Sequence, residues 1–231
     1  MKLRTLLAVS VVLGVATPAS AGPVSGKLDF IGAPPARQAQ RGRGFLDRIE
    51  NPHLPVRPVD PLPSMVIVLE SATAAAATPP TSVNWDLLGD SFARPVQPVR
   101  VGGEVVIRNR GRSAPVLVAT GLPDLLARKP INPTAEVHFI AKQPGLIELV
   151  DQSSPHLRGR VLVVASPYFA VPDSKGGFEI ADVPAGDYTV RVWYDGGWIE
   201  RADEKITVGS KRTEVNPKLP SGLPVKAPAK P

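Results

Sequence analysis

The chain has 231 residues, with 27 Lys and Arg against 21 Asp and Glu, a formal charge of +6, and no cysteine. Without cysteine there is neither disulfide stapling nor thiolate metal chemistry, so apolar burial must hold the fold together. The 27 prolines and 20 glycines make turns frequent and disfavour long helices.

Met1-Lys2-Leu3-Arg4 is a basic start, followed by the apolar run Leu6 to Ala16 and then Ala19-Ser20-Ala21. This pattern predicts a secretory signal peptide over residues 1–21 with a small-x-small cleavage site. The run is shorter than the ~20 residues a bilayer span requires, and no later stretch qualifies, so no transmembrane segment is expected. With no cysteine beside the cleavage site, no lipid anchor is expected, and the mature protein is read as soluble and periplasmic or secreted. Loss of Lys2 and Arg4 leaves 25 basic residues against 21 acidic, a net +4. That mild excess gives no reason to expect nucleic acid as a partner.

Val24 to Ile31 alternates Leu28 and Phe30 with polar neighbours and predicts a first strand. Residues 33–64 are rich in proline and arginine, with Arg37, Arg41, Arg43, Arg48 and Arg57. They read as a mobile surface loop, or as a basic arm for an anionic partner. Met65 to Glu70 (MVIVLE) is a continuous apolar run and predicts a central strand. Ser71 to Ser82 ends in paired prolines and reads as a linker. From Val83 to Val164 a second β-unit is expected, with strands on either side of Gly102-Gly103, over Ala135–Ala141, Leu146–Val150 and Arg160–Ala165. Residues 220–231 are rich in proline and lysine and are read as a disordered tail.

The densest pattern is Ser166 to Trp198. Phe178 and Ile180 form one apolar alternation, and Tyr188, Val190, Val192 and Tyr194 a longer one, the period-two mark of half-buried strands. Asp173-Ser174-Lys175-Gly176-Gly177 reads as an Asx-type turn, Val183-Pro184-Ala185-Gly186 as a type I turn, and Asp195-Gly196-Gly197 as a hairpin turn. PYFAVPDSKGGFEIADVPAGDYTVRVW resembles the corresponding segment of carboxypeptidase-regulatory-like domains, more narrowly those fused to a cupredoxin in periplasmic proteins of the methylamine-utilisation or plastocyanin-like type. The resemblance implies an all-β chain of two small sandwiches. One is regulatory-like (transthyretin-like, with an immunoglobulin-like fold) over 24–75 plus 166–219, and the other is a cupredoxin-like Greek key over 83–165. Strand periodicity alone also allows two sequential domains.

The 83–165 stretch is similar to a cupredoxin in its V-x-V-G-x-x-V-x-x-x-N strand pair and its later Pro-Gly turn. That family holds copper with two histidines and a cysteine. Here Arg110 to Leu117 lacks the expected histidine. In the loop Asp151 to Gly159, the resemblance sets Asp151 near the cysteine position and Ser154 near a histidine, leaving His156. The metal site is therefore read as lost, with His156 and Asp151 as the remaining candidate donors. His138 is out of phase with Val137 and Phe139 and is expected to face away from the core, while His53 falls in the proline-rich loop. Ser153, Ser154 and His156 share one loop and make no nucleophile–base–orienter arrangement. Gly102-Gly103 and Gly176-Gly177 precede no helix, so neither is a phosphate loop.

Trp193 is out of phase with Tyr188–Tyr194, beside Arg191 and across a turn from Trp198. These three are the candidate ligand-binding residues, as an aromatic platform for glycan or peptide, unless Trp193 packs where the two units meet. No catalytic residue and no cofactor is expected. The functional expectation is an exported, non-catalytic binding or scaffold protein of the cell envelope, its partner an envelope protein or glycan. The alternatives are a metal or electron-transfer protein using an unorthodox His/Asp site, and a glycan-binding accessory module.

Overall fold

The computed structural model describes residues 21–31, 60–71, 79, 81–220, 222–223 and 225–226. Residues 1–20 of the expected signal peptide, His53 and the five loop arginines lie outside these residues. Among them the chain is all-β. The strands are β1 (Ala21–Lys27), β2 (Asp29–Phe30), β3 (Met65–Ser71), β4 (Ser82–Leu87), β5 (Val96–Arg100), β6 (Glu104–Asn109), β7 (Leu117–Ala119), β8 (Glu136–Ile140) and β9 (Gly145–Asp151). They continue as β10 (Arg158–Val164), β11 (Phe169–Ala170), β12 (Gly177–Pro184), β13 (Gly186–Tyr194), β14 (Gly197–Ile199), β15 (Glu204–Val208), β16 (Thr213–Glu214), β17 (Lys218–Leu219) and β18 (Val225–Lys226).

Four sheets stack face to face. Sheet I is β12-β1-β16, and sheet II is β11-β3-β13-β14-β18 with β15 on β13. Sheet III is β5-β10-β9-β7 and sheet IV is β4-β6-β8, while β2 and β17 make a separate short ladder. Val24, Phe178, Ile180 and Val183 of sheet I pack against Met65, Ile67, Leu69, Val190 and Val192 of sheet II. Trp85, Leu87, Val105 and Ile107 of sheet IV pack against Leu117, Leu149, Val161 and Val163 of sheet III. Sheets II and III close on each other through a third cluster, Val66, Val68, Val96, Leu162, Val164 and Trp193. An ion pair adds to this contact: Arg160 of β10 reaches Asp195 after β13, Nη1 to Oδ1 2.8 Å.

The double burial explains the unbroken apolar runs. In β3 the odd residues Met65, Ile67 and Leu69 face one core and Val66 and Val68 the other. In β10 Val161 and Val163 face sheet IV while Leu162 and Val164 face sheet II. A strand covered on both sides has no solvent face to carry polar residues, so its sequence loses the alternation. Among the described residues β3 ladders only to β13 and β11, and no ladder partner lies within 82–164. Strand pairing thus nests the second sandwich between β3 and β11 of the first.

Turn chemistry sets the joints. Asp195 (φ 49°) and Gly196 (φ 97°) are the two central residues between paired Tyr194 and Gly197, a type I′ hairpin. The Val183–Gly186 turn is a connection between sheets. It joins β12 of sheet I to β13 of sheet II, so it carries the chain between layers and closes no hairpin. Tyr188 Oη donates to the Pro184 carbonyl at 3.0 Å, pinning that crossing as a tyrosine corner does in other β-sandwiches. The Gly102-Gly103 turn likewise links sheets III and IV instead of two strands of one sheet. Within 220–231, Val225–Lys226 pairs antiparallel with Trp198–Ile199, while residues 227–231 lie outside the described residues.

Candidate functional site

The three candidate binding residues are neighbours on one face of sheet II. Trp193 and Trp198 are directly paired across the β13–β14 hairpin. Trp193 is 2% exposed, closed in by Val66, Val68, Leu162 and Val164. Trp198 is half-buried at the margin of that cluster, with the Arg191 guanidinium carbon 4.3 Å from its ring centroid. Arg191 Nη1 donates to both Glu70 carboxylate oxygens at 3.2 Å, and its Nε lies 3.5 Å from Asp203 Oδ1. The residues that an aromatic platform would present are a packed joint between sheets II and III with a capped margin. No open indole face remains on Trp193 for a ring to stack on.

The end of the second sandwich shows what stands where the resemblance sets a metal loop. Asn109, 1% exposed, donates from Nδ2 to the carbonyls of Ser113 (2.7 Å) and Ile131 (2.6 Å), and its Oδ1 accepts the Gly111 N–H (2.9 Å). Asp151, 4% exposed, accepts the Val116 N–H on Oδ1 at 2.7 Å. Arg158 does not pair with it, and donates instead to the Pro155 carbonyl at 3.1 and 3.3 Å. His156 is exposed on the connecting turn. His138 points to the outer side of sheet IV, Nδ1 3.3 Å from Glu104 and Nε2 3.8 Å from Glu136. Among the described residues no three His, Asp or Glu side chains converge as a metal would need. The donor set does not fit blue copper: the chain has no thiolate, and Asp151 is a hard carboxylate already engaged by backbone.

A larger concavity lies elsewhere, across sheet I. It is open, with a volume of about 850 Å³, and is bordered by Lys27, Asp173, Glu179, Arg212, Glu214 and Asn216. Arg94, from the connection before β5, reaches it from the second sandwich. Arg212 pairs with Glu179, Nη2 to Oε1 3.0 Å, and Asn216 Oδ1 accepts the Lys27 backbone N–H at 2.9 Å. Asp173 Oδ1 accepts the N–H groups of Lys175 and Gly177, both at 2.8 Å, and these bonds hold its carboxyl below the usual carboxylate range. Sequence reasoning missed this surface. The only signal was phase: Ser25 and Glu179 alternate against the inward Val24, Phe178 and Ile180. Nothing local marks Arg94.

Two comparisons with known proteins bear on these surfaces. The family model described as polysaccharide lyase family 4, domain II, matches residues 148–215. The match runs from β9 past β16 and so takes strands from both sandwiches. The second likeness is to amicyanin. The chain is 18% identical to amicyanin from Paracoccus versutus over 42% of this chain and 97% of that one, TM-score 0.34. A reduced amicyanin variant gives 18% identity over 42% and 98%, TM-score 0.32. No curated protein matches the chain. Among the described residues no helix is long and apolar enough to cross a membrane.

Proposed function

We propose that this chain is an exported, non-catalytic binding or scaffold protein of the cell envelope, periplasmic or secreted. In this reading a regulatory-like sandwich carries a cupredoxin-like sandwich whose metal loop has become structural. The observation that carries the reading is Asp151. At the position the resemblance gives to a thiolate, a buried carboxylate accepts the Val116 N–H. A side chain engaged in this way holds the loop shut and is not offered to a metal. The likeness to the polysaccharide-lyase domain model adds support for a sandwich that accompanies other activities, since it names a domain of an enzyme family without naming a catalytic group.

The test is to load the purified mature protein with Cu(II), dialyse, and measure metal content with visible absorption. No retained copper and no intense colour are expected. Stoichiometric copper that is lost on His156→Ala would overturn the reading in favour of metal binding.

A further inference from the structure

We propose that the concavity across sheet I is a binding groove for a neutral, hydroxyl-rich oligosaccharide; this deepens the binding-protein reading and rests on it. Three features of the groove carry the assignment. Its volume, about 850 Å³, falls in the range of ligand clefts, roughly 300–1,000 Å³. Its charges are balanced: Lys27, Arg94 and Arg212 face Asp173, Glu179 and Glu214. Balance removes the net field that would draw an ionic ligand, while leaving donors and acceptors side by side. A hydroxyl group both donates and accepts, so a polyol satisfies both kinds of partner where a carboxylate or an ammonium satisfies one.

The third feature is the floor. The groove crosses β12, β1 and β16, and at this point β1 is laddered on both sides, Ser25 to Glu179 and to Glu214. An extended peptide adding as a strand needs a free edge, and the central strand under the groove has none. Val171, half-buried at the groove, supplies apolar surface beside the polar groups, which suits the C–H face of a sugar ring. Arg94 comes from the second sandwich, so the groove takes its full outline only when both sandwiches are present. That gives the nested second unit a purpose other than metal binding.

The full mature chain is applied to an array of immobilised neutral and uronate-containing polysaccharides, and any neutral hit is titrated as its hexasaccharide. Retention of a neutral glycan is expected, weakened about tenfold or more by Asn216→Ala or Glu179→Gln and unchanged by Trp198→Ala. Amide shift mapping on the unaltered protein gives a second readout that needs no variant, with the largest changes expected at Ser25, Lys27 and Gly177. Retention of no glycan, retention of uronate glycans alone, or shifts centred on Trp198 would each overturn the proposal. Failure here without retained copper leaves the scaffold reading standing, whereas retained copper removes the reading beneath it.

Discussion

At the end of the second sandwich, Asn109 and Asp151 turn inward and bond backbone groups of their own loops. On the outer face of sheet I, Lys27, Glu179, Glu214 and Asn216 turn outward around an open groove. Both regions are rich in polar residues, and burial separates their roles. A buried polar atom must find a partner or cost stability, so its chemistry is committed to the fold. An exposed one is held in place by few bonds and stays available. The region whose sequence names a chemistry is thus the structural one, and the region with no named motif is the one left open.

The contrast would break most sharply at the joint that makes one body of the two sandwiches. Trp193→Ala empties a site that is 2% exposed between sheets II and III, and is expected to cost about 3–5 kcal/mol. Urea unfolding should show a lowered midpoint, and probes in each sandwich should cease to report the same transition. A loss under about 1 kcal/mol would mean that Trp193 is not a packing element, and would return it to the list of surface candidates.

Next in size are the inward polar groups. Asn109→Ala removes three hydrogen bonds in a buried setting and is expected to destabilise by about 2–4 kcal/mol. Asp151→Ala removes one acceptor from the Val116 N–H and should cost less, about 1–3 kcal/mol, while Asp151→Asn keeps an acceptor and should recover much of it. Wild-type stability of all three variants in denaturant melts would show that these groups are not holding their loops.

How much of this could be read from the sequence depends on what each residue faces. The alternation at Tyr188, Val190 and Val192 is the alternation of buried side chains in β13, because one face packs in the core between sheets I and II. Trp193 was legible as out of phase, and packing where the two units meet was one of its two readings, which is where it lies. Phase alone says which face and not what covers it. The Gly102-Gly103 and Pro184 turns were legible as turns. That they change sheets was hidden, because layer crossing is fixed by long-range ladders such as β10 on β5 and β13 on β3. The groove was the least legible: its border is assembled from Lys27, Arg94, Asp173 and Arg212, far apart in the chain. Near the end of the chain a Pro/Lys-rich composition carries no strand signal, yet two backbone residues suffice to pair with β14.

A smaller effect separates the first sandwich's core from its surface. Tyr168 and Tyr188 meet edge to face at 5.9 Å, and burial raises both phenol pKa values above the usual tyrosine range. For a group whose folded pKa is raised, the contribution to stability is intact below the unfolded value and lost as pH rises through the folded one. Stability should therefore hold to about pH 10 and fall beyond it. Tyr188→Phe should flatten that fall, at the expense of the bond to the Pro184 carbonyl. An unchanged alkaline slope in this variant would assign the loss to other groups.

The smallest effect sets the two aspartates against each other. Asp173 and Asp151 do the same job, each accepting backbone N–H groups at a turn, but Asp173 lies exposed at the groove and Asp151 is buried. Water can replace the Asp173 bonds, so its loss is expected to change global stability far less than the loss of Asp151. Its lowered pKa gives a sign that can be checked. A carboxyl held below its unfolded value contributes above that value and loses the contribution as pH falls through the folded one. Below about pH 4 the Lys175 and Gly177 amides should begin to lose exchange protection, with the global melting temperature moving little. Asp173→Ala should show the same loss at neutral pH. A global destabilisation by Asp173→Ala as large as that of Asp151→Ala would mean that the rim of the groove is part of the fold, and the division between committed and available polar groups would fail at its simplest pair.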